Sequence, residues 1–111
     1  MNVIEKPWGK EEILEVNNKY VVKRLTMNHG CKCSLQYHNE KKETIYVLEG
    51  VLSITIDGII HDYVEGMVVT IEPGQVHRME ARYGVKNAVY LECSTPQLDD
   101  VIRLEDDYNR V

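Results

Sequence analysis

The chain of 111 residues contains no apolar run near the roughly 20 residues that a membrane-spanning helix needs. It has no surplus of positive charge either. Its 13 Lys and Arg stand against 18 Asp and Glu, for a formal net charge of -5. A nucleic-acid surface, which requires clustered cations, is therefore not expected. The opening residues Met1 to Pro7 lack the basic and then apolar order of a secretory leader. These absences point to a soluble cytoplasmic protein with neither nucleic acid nor membrane as partner. Cysteine is scarce and odd in number: Cys31, Cys33 and Cys93 cannot all pair. The Cys31-x-Cys33 spacing is too tight for an ordinary disulfide. A lone C-x-C is weak as a metal motif, so all three are expected to be reduced structural thiols. Linkers, repeats and low-complexity tracts are missing too, and the length suits one core.

A sustained 3.6-residue apolar period is also absent. What the chain has instead is many short runs rich in β-branched and aromatic residues, divided by turn signals. Ile13 to Val16 and Lys19 to Met27 flank Asn17-Asn18, a two-residue hairpin turn by residue type. Further runs are Leu35 to His38, Thr44 to Leu48, Leu52 to Asp57, Ile59 to Tyr63, Val68 to Ile71, His77 to Ala81 and Lys86 to Cys93. Asp57-Gly58 is the strongest hairpin signal, and Glu49-Gly50, Glu65-Gly66, Pro73-Gly74 and Tyr83-Gly84 punctuate the remainder. Evenly spaced short strands without helices imply an all-β barrel or double-sheet jelly roll. Residues 1–12 are expected to form an N-terminal arm, with Trp8 plugging the barrel edge or a dimer interface. Residues 95–111, acidic around Val101 to Leu104, are expected to pack as a tail on the barrel.

Two stretches carry the chemistry, Gly30 to Gly50 and Gly66 to His77. Side chains repeat every two residues along a strand, so Gln36 and His38 share a face. Glu43 comes from the next run after a polar turn, and His77 arrives past a Pro-Gly turn. An amide oxygen, two imidazoles and a carboxylate can thus converge inside a barrel. That donor set suits a divalent ion such as Mn, Fe, Co, Ni or Zn. Buried His and Glu are costly without a partner, and an ion supplies a common one. His29 and His61 are expected at the surface or an edge. Lys23 and Arg24 lie on opposite strand faces, so one of them faces inward and can hold an anion. Arg78 points away from His77.

Gly30, Gln36-x-His38, Glu43 and Gly50 resemble the first cupin motif, with Gln in place of a frequent His. Gly66 and Gly74-x-x-His77 resemble the second, with Glu72 where Pro is usual and Ala81 where Asn is usual. Pro7-Trp8-Gly9, Val22 to Thr26, Ser34-Leu35-Gln36, Val76-His77-Arg78 and the tail Asp100 to Tyr108 are similar to the cupin domain of type II mannose-6-phosphate isomerases. In that family the domain is often fused behind a mannose-1-phosphate guanylyltransferase. The resemblance covers nearly the whole chain and implies a single-domain cupin jelly-roll barrel. It also implies Gln36, His38, Glu43 and His77 as metal ligands and a two-fold homodimer.

By the same resemblance the activity is interconversion of mannose 6-phosphate and fructose 6-phosphate through an enediol. That reaction needs a Lewis acid and one base reaching both carbons. Glu40 is the candidate base, Lys41 a second catalytic candidate, and Lys23, Arg24 and Arg78 the candidates for binding a sugar phosphate. The family pattern Gln-x-His-x-His-Arg-x-Glu-His-Trp is altered here. Glu40 replaces the second His, Lys41 the Arg, and Thr44-Ile45 the His-Trp. Lys does not reproduce the bidentate Arg fork. Three readings stand side by side. The chain is a metal-dependent sugar-phosphate isomerase, a non-catalytic metal-binding cupin that holds a sugar or nucleotide sugar as accessory or sensor, or another metal-dependent cupin enzyme such as an epimerase or dioxygenase.

Overall fold

The computed structural model describes residues 2–83 and 85–110, and their regular elements are all β-strands. The strands are β1 (Asn2–Lys6), β2 (Gly9–Val16), β3 (Val21–Met27), β4 (Leu35–Tyr37), β5 (Glu43–Glu49), β6 (Leu52–Ile56), β7 (Ile59–Tyr63), β8 (Val68–Ile71), β9 (His77–Glu80), β10 (Ala88–Ser94) and β11 (Ile102–Glu105). They form a six-stranded sheet in the order β1-β2-β3-β10-β5-β8 and a five-stranded sheet in the order β11-β4-β9-β6-β7. Neighbours pair antiparallel, so the jelly roll expected from the run spacing is the fold found. No helix among the described residues is long and apolar enough to cross a membrane.

Alternation explains which side chains enter the barrel. In β3 the buried positions are Val21, Lys23, Leu25 and Met27. In β10 they are Ala88, Tyr90, Glu92 and Ser94, and in β5 Glu43, Ile45 and Val47. Cross-strand register then sorts the interior by polarity. Leu25 faces Tyr90, which faces Val47; one step along, Lys23 faces Glu92, which faces Ile45; one step further, Ser94 faces Glu43. Leu52, Ile54 and Met79 close the apolar end from the opposite sheet. The inward face is thus apolar towards one end and charged towards the other.

The turns follow local chemistry, with one departure. Asp57 (φ 49°) and Gly58 (φ 84°) both take positive φ, the primed hairpin turn their sequence announces. The β2–β3 connection differs from its expected two-residue form. Asn17 Oδ1 accepts from the N–H groups of Lys19 and Tyr20, so the loop spans four residues and β3 starts at Val21. The expected N-terminal arm is also different. Its residues form β1 and part of β2, a hairpin paired from Asn2–Ile13 to Lys6–Gly9. Trp8, at that turn, is 5% exposed and belongs to the core.

Candidate metal centre and its cavity

His77 opens β9 beside Gln36 of β4, its direct cross-strand partner. His38 follows β4 immediately, and Glu43 begins β5 in the other sheet. The turn between them, residues 39–42, therefore carries the chain from one sheet to the other across the barrel end. Gly74, with φ 83°, turns the chain before His77, and its N–H donates to the His38 carbonyl at 2.7 Å. This bond ties the two histidine-bearing segments together.

One donor atom each from His38, Glu43 and His77 lies within 4.8 Å of the others, and all three residues are buried. His77 Nε2 stands 3.3 Å from Glu43 Oε1, and His38 Nε2 3.9 Å from Glu43 Oε2. The outer ring nitrogens are engaged. His77 Nδ1 bonds the Gln75 carbonyl at 2.8 Å, and His38 Nδ1 bonds the Asp100 carbonyl. A ring that donates from Nδ1 presents the lone pair of Nε2. Both Nε2 atoms and both Glu43 oxygens are buried and make no well-formed hydrogen bond, although the Lys41 ammonium lies 3.2 Å from Glu43 Oε2. Buried polar atoms are rarely left so. Two imidazoles and a carboxylate aimed at one point fit a metal ion, which would complete the bonding of those atoms. His38, Glu43 and His77 form a cluster able to hold a metal.

Gln36 is placed less directly. Its side chain lines the adjoining cavity, and its Oε1 accepts from Ser34 Oγ at 2.6 Å. Lys41, the second catalytic candidate, is buried. Its ammonium lies 3.2 Å from Glu43 Oε2 and 3.0 Å from Glu92 Oε2. Burial disfavours the charged lysine, but the two carboxylates outweigh it and hold its pKa above the ordinary value. Burial would raise Glu43, whereas the His77 ring at 3.3 Å and the Lys41 charge bring it down to about 2. Burial pushes His38 below its usual value against the pull of Glu43. Glu92 is raised, first by burial and then by the charge on Glu43.

Beyond Lys41 lies a cavity of about 230 Å³. Trp8, Tyr90 and Leu25 form its apolar wall, and Lys23, Glu11, Glu92, Arg103 and Arg110 bring charge to it. Of the Lys23–Arg24 pair, Lys23 faces inward and meets Glu11 at 3.3 Å. Arg24 faces outward and forms a two-pronged bond with Glu12. Arg78 also stays outside, donating to the carbonyls of Cys33 and Glu105, so it fastens β9 to its neighbours rather than lining the cavity. Glu40 is exposed in the 39–42 turn and does not line the cavity. His29 and His61 are exposed, and Cys31, Cys33 and Cys93 are unbridged.

Several charged cavity groups went unnoticed in the sequence, among them Glu92, Glu11, Arg103 and Arg110. Glu92 shares the inward phase of Ala88 and Tyr90, a signal that alternation offered. Glu11, Arg103 and Arg110 enter the cavity from segments read as arm and tail, where no apolar phase marked an inner face.

An antiparallel two-sheet barrel with imidazoles and a carboxylate gathered inside it is a cupin. Solved structures agree on the fold. A double-stranded β-helix protein of Klebsiella pneumoniae superposes with a TM-score of 0.80 at 18% identity, covering 93% of this chain and 90% of that one. An RmlC-like cupin of Shewanella frigidimarina gives 0.77 at 17% identity, covering 88% and 86%. The chain belongs to the mannose-6-phosphate isomerase C-terminal family, whose model matches residues 2–106. It is 33% identical over 115 aligned positions to a mannose-1-phosphate guanylyltransferase of Escherichia coli K12. That match takes in 97% of this chain and 23% of the relative, so the chain spans about a quarter of its relative's length.

Proposed function

We propose that this cupin is a metal-dependent aldose–ketose isomerase of sugar phosphates, with mannose 6-phosphate as the first substrate to test. The observation that carries the reading is the buried convergence of His38 Nε2, His77 Nε2 and the Glu43 carboxylate, next to a cavity edged by charge. His38, Glu43 and His77 would hold a divalent transition ion, with Gln36 beside them. Such an ion, when bound, supplies a Lewis acid for sugar oxygens. Lys23, Arg103 and Arg110 offer charge-assisted hydrogen bonds to an anionic sugar. Trp8 and Tyr90 exclude water from one side. Glu92, a carboxylate on the cavity wall with a raised pKa, is our choice to accept and return the proton at its Oε atoms. The three unbridged thiols accord with a cytoplasmic setting.

A second reading has its own support. The Lys41 ammonium rests on Glu43 and Glu92, which ties up a candidate ligand and the candidate base in one ion-pair network. That favours a binding domain holding a sugar or nucleotide sugar without turnover. Metal analysis of untagged, chelator-free protein, followed by a mannose 6-phosphate to fructose 6-phosphate assay, separates the two. Bound metal with turnover supports the isomerase. Bound metal with saturable sugar-phosphate binding and no turnover supports the binding domain. A chain that neither carries nor takes up metal removes both.

A further inference from the structure

We propose that Asp100 is a positioning residue for the metal centre, and that it couples ion binding to docking of the C-terminal segment; this rests on the metal reading of His38, Glu43 and His77. The two histidines are held differently. His77 leans on Gln75, two residues away in its own turn. His38 leans on the backbone carbonyl of Asp100, 62 residues further along the chain. Its ring orientation, and with it the direction of Nε2, is set by a remote segment.

The Asp100 side chain grips the same place a second time. Its Oδ1 accepts from the N–H of Asn39 at 3.0 Å, and its Oδ2 from Glu40 at 2.8 Å and Lys41 at 3.0 Å. Those three amides are the turn between His38 and Glu43, so one residue fixes both the ring and the spacing of two ligands. Past Asp100 the chain enters β11 and pairs Ile102 with Tyr37, one residue before His38. Groups that orient a metal ligand without touching the ion govern affinity strongly. Coupling of this kind works in both directions: if docking favours binding, binding must favour docking.

The test is calorimetric titration of Co2+ into the full chain and the variants Asp100→Ala and Asp100→Asn. Asp100→Ala is expected to bind about 10- to 100-fold more weakly than the unaltered chain. Asp100→Asn, which keeps one acceptor oxygen, should fall between them. A purely structural role would lower the melting temperature and leave the affinity of the folded variant unchanged. Hydrogen exchange on the unaltered chain supplies the reciprocal measurement. Co2+ is expected to slow exchange at the amides of 39–41 and of β11. Equal Co2+ affinity in all three proteins, or β11 exchange indifferent to Co2+, overturns the inference while leaving the metal reading intact. An unaltered chain that binds no Co2+ overturns both. If Asp100→Ala does not fold, the Asn variant and the exchange experiment decide.

Discussion

Two imidazoles and an ammonium surround the Glu43 carboxylate, and together they decide how the barrel responds to acid. With its pKa lowered from the ordinary 4.5 to about 2, Glu43 contributes stability that is full above 4.5 and lost as pH falls towards 2. His38 acts in the same direction at higher pH. Burial lowers its pKa from 6.5, so below that point the unfolded chain takes up a proton that the fold resists. Glu43 and His38 should therefore lower the melting temperature of the metal-free protein as pH falls from about 6.5 to 2, with the raised pKa of Glu92 opposing them in part. In Glu43→Gln the acid limb of that curve should flatten, as thermal melts at matched ionic strength would show. The cavity wall gives a second comparison. If the isomerase reading holds, Glu92→Gln abolishes turnover while Glu40→Gln retains most of it. A variant lacking Glu92 but fully active would remove that carboxylate from proton transfer.

At the scale of the element, the N-terminal hairpin turns on Gly9. A Cβ there would lie 1.9 Å from the Thr26 carbonyl oxygen, a backbone atom that cannot step aside. Gly9 pairs with Met27 and follows Trp8, so the close approach of the two strands also sends the indole inward. Gly9→Ala should cost about 3 kcal/mol or more by denaturant titration, in the range of severe backbone and packing lesions. The hairpin itself was hidden in the sequence because β1 buries nothing: Asn2 to Glu5 are all exposed, which leaves no alternation to detect. Where one face is buried, the sequence was legible. The Asp57-Gly58 turn follows from its turn residues, and the convergence of His38, Glu43 and His77 was legible through their spacing together with the resemblance to the two cupin motifs. The inward choice of Lys23 over Arg24 was readable too, since Lys23 shares the phase of Val21, Leu25 and Met27. Asp100 was not legible, because it acts through backbone amides and a backbone carbonyl, groups that every residue carries.

For the whole molecule, an ion bound only by the folded state must stabilise it. At 100 times Kd the gain is about 2.7 kcal/mol, so added Co2+ or Zn2+ should raise the melting temperature by several degrees. His77→Ala should abolish the rise. Both sheets leave edge strands, and β1 carries exposed Val3 and Ile4. We propose a two-fold dimer that covers such an edge; light scattering at micromolar concentration should give twice the 12.9 kDa chain mass, and a monomeric mass would remove the idea.

The ammonium of Lys41 has a consequence for the order of events. Many small metal domains have no preformed site in the unfolded chain and fold only as the ion binds. Here Lys41 stands between Glu43 and Glu92 as a resident counterion. On that basis the barrel would close first and load afterwards. Its ion would then be exchangeable cargo of a finished fold, and a cell short of metal would hold a folded, waiting protein rather than a lost one.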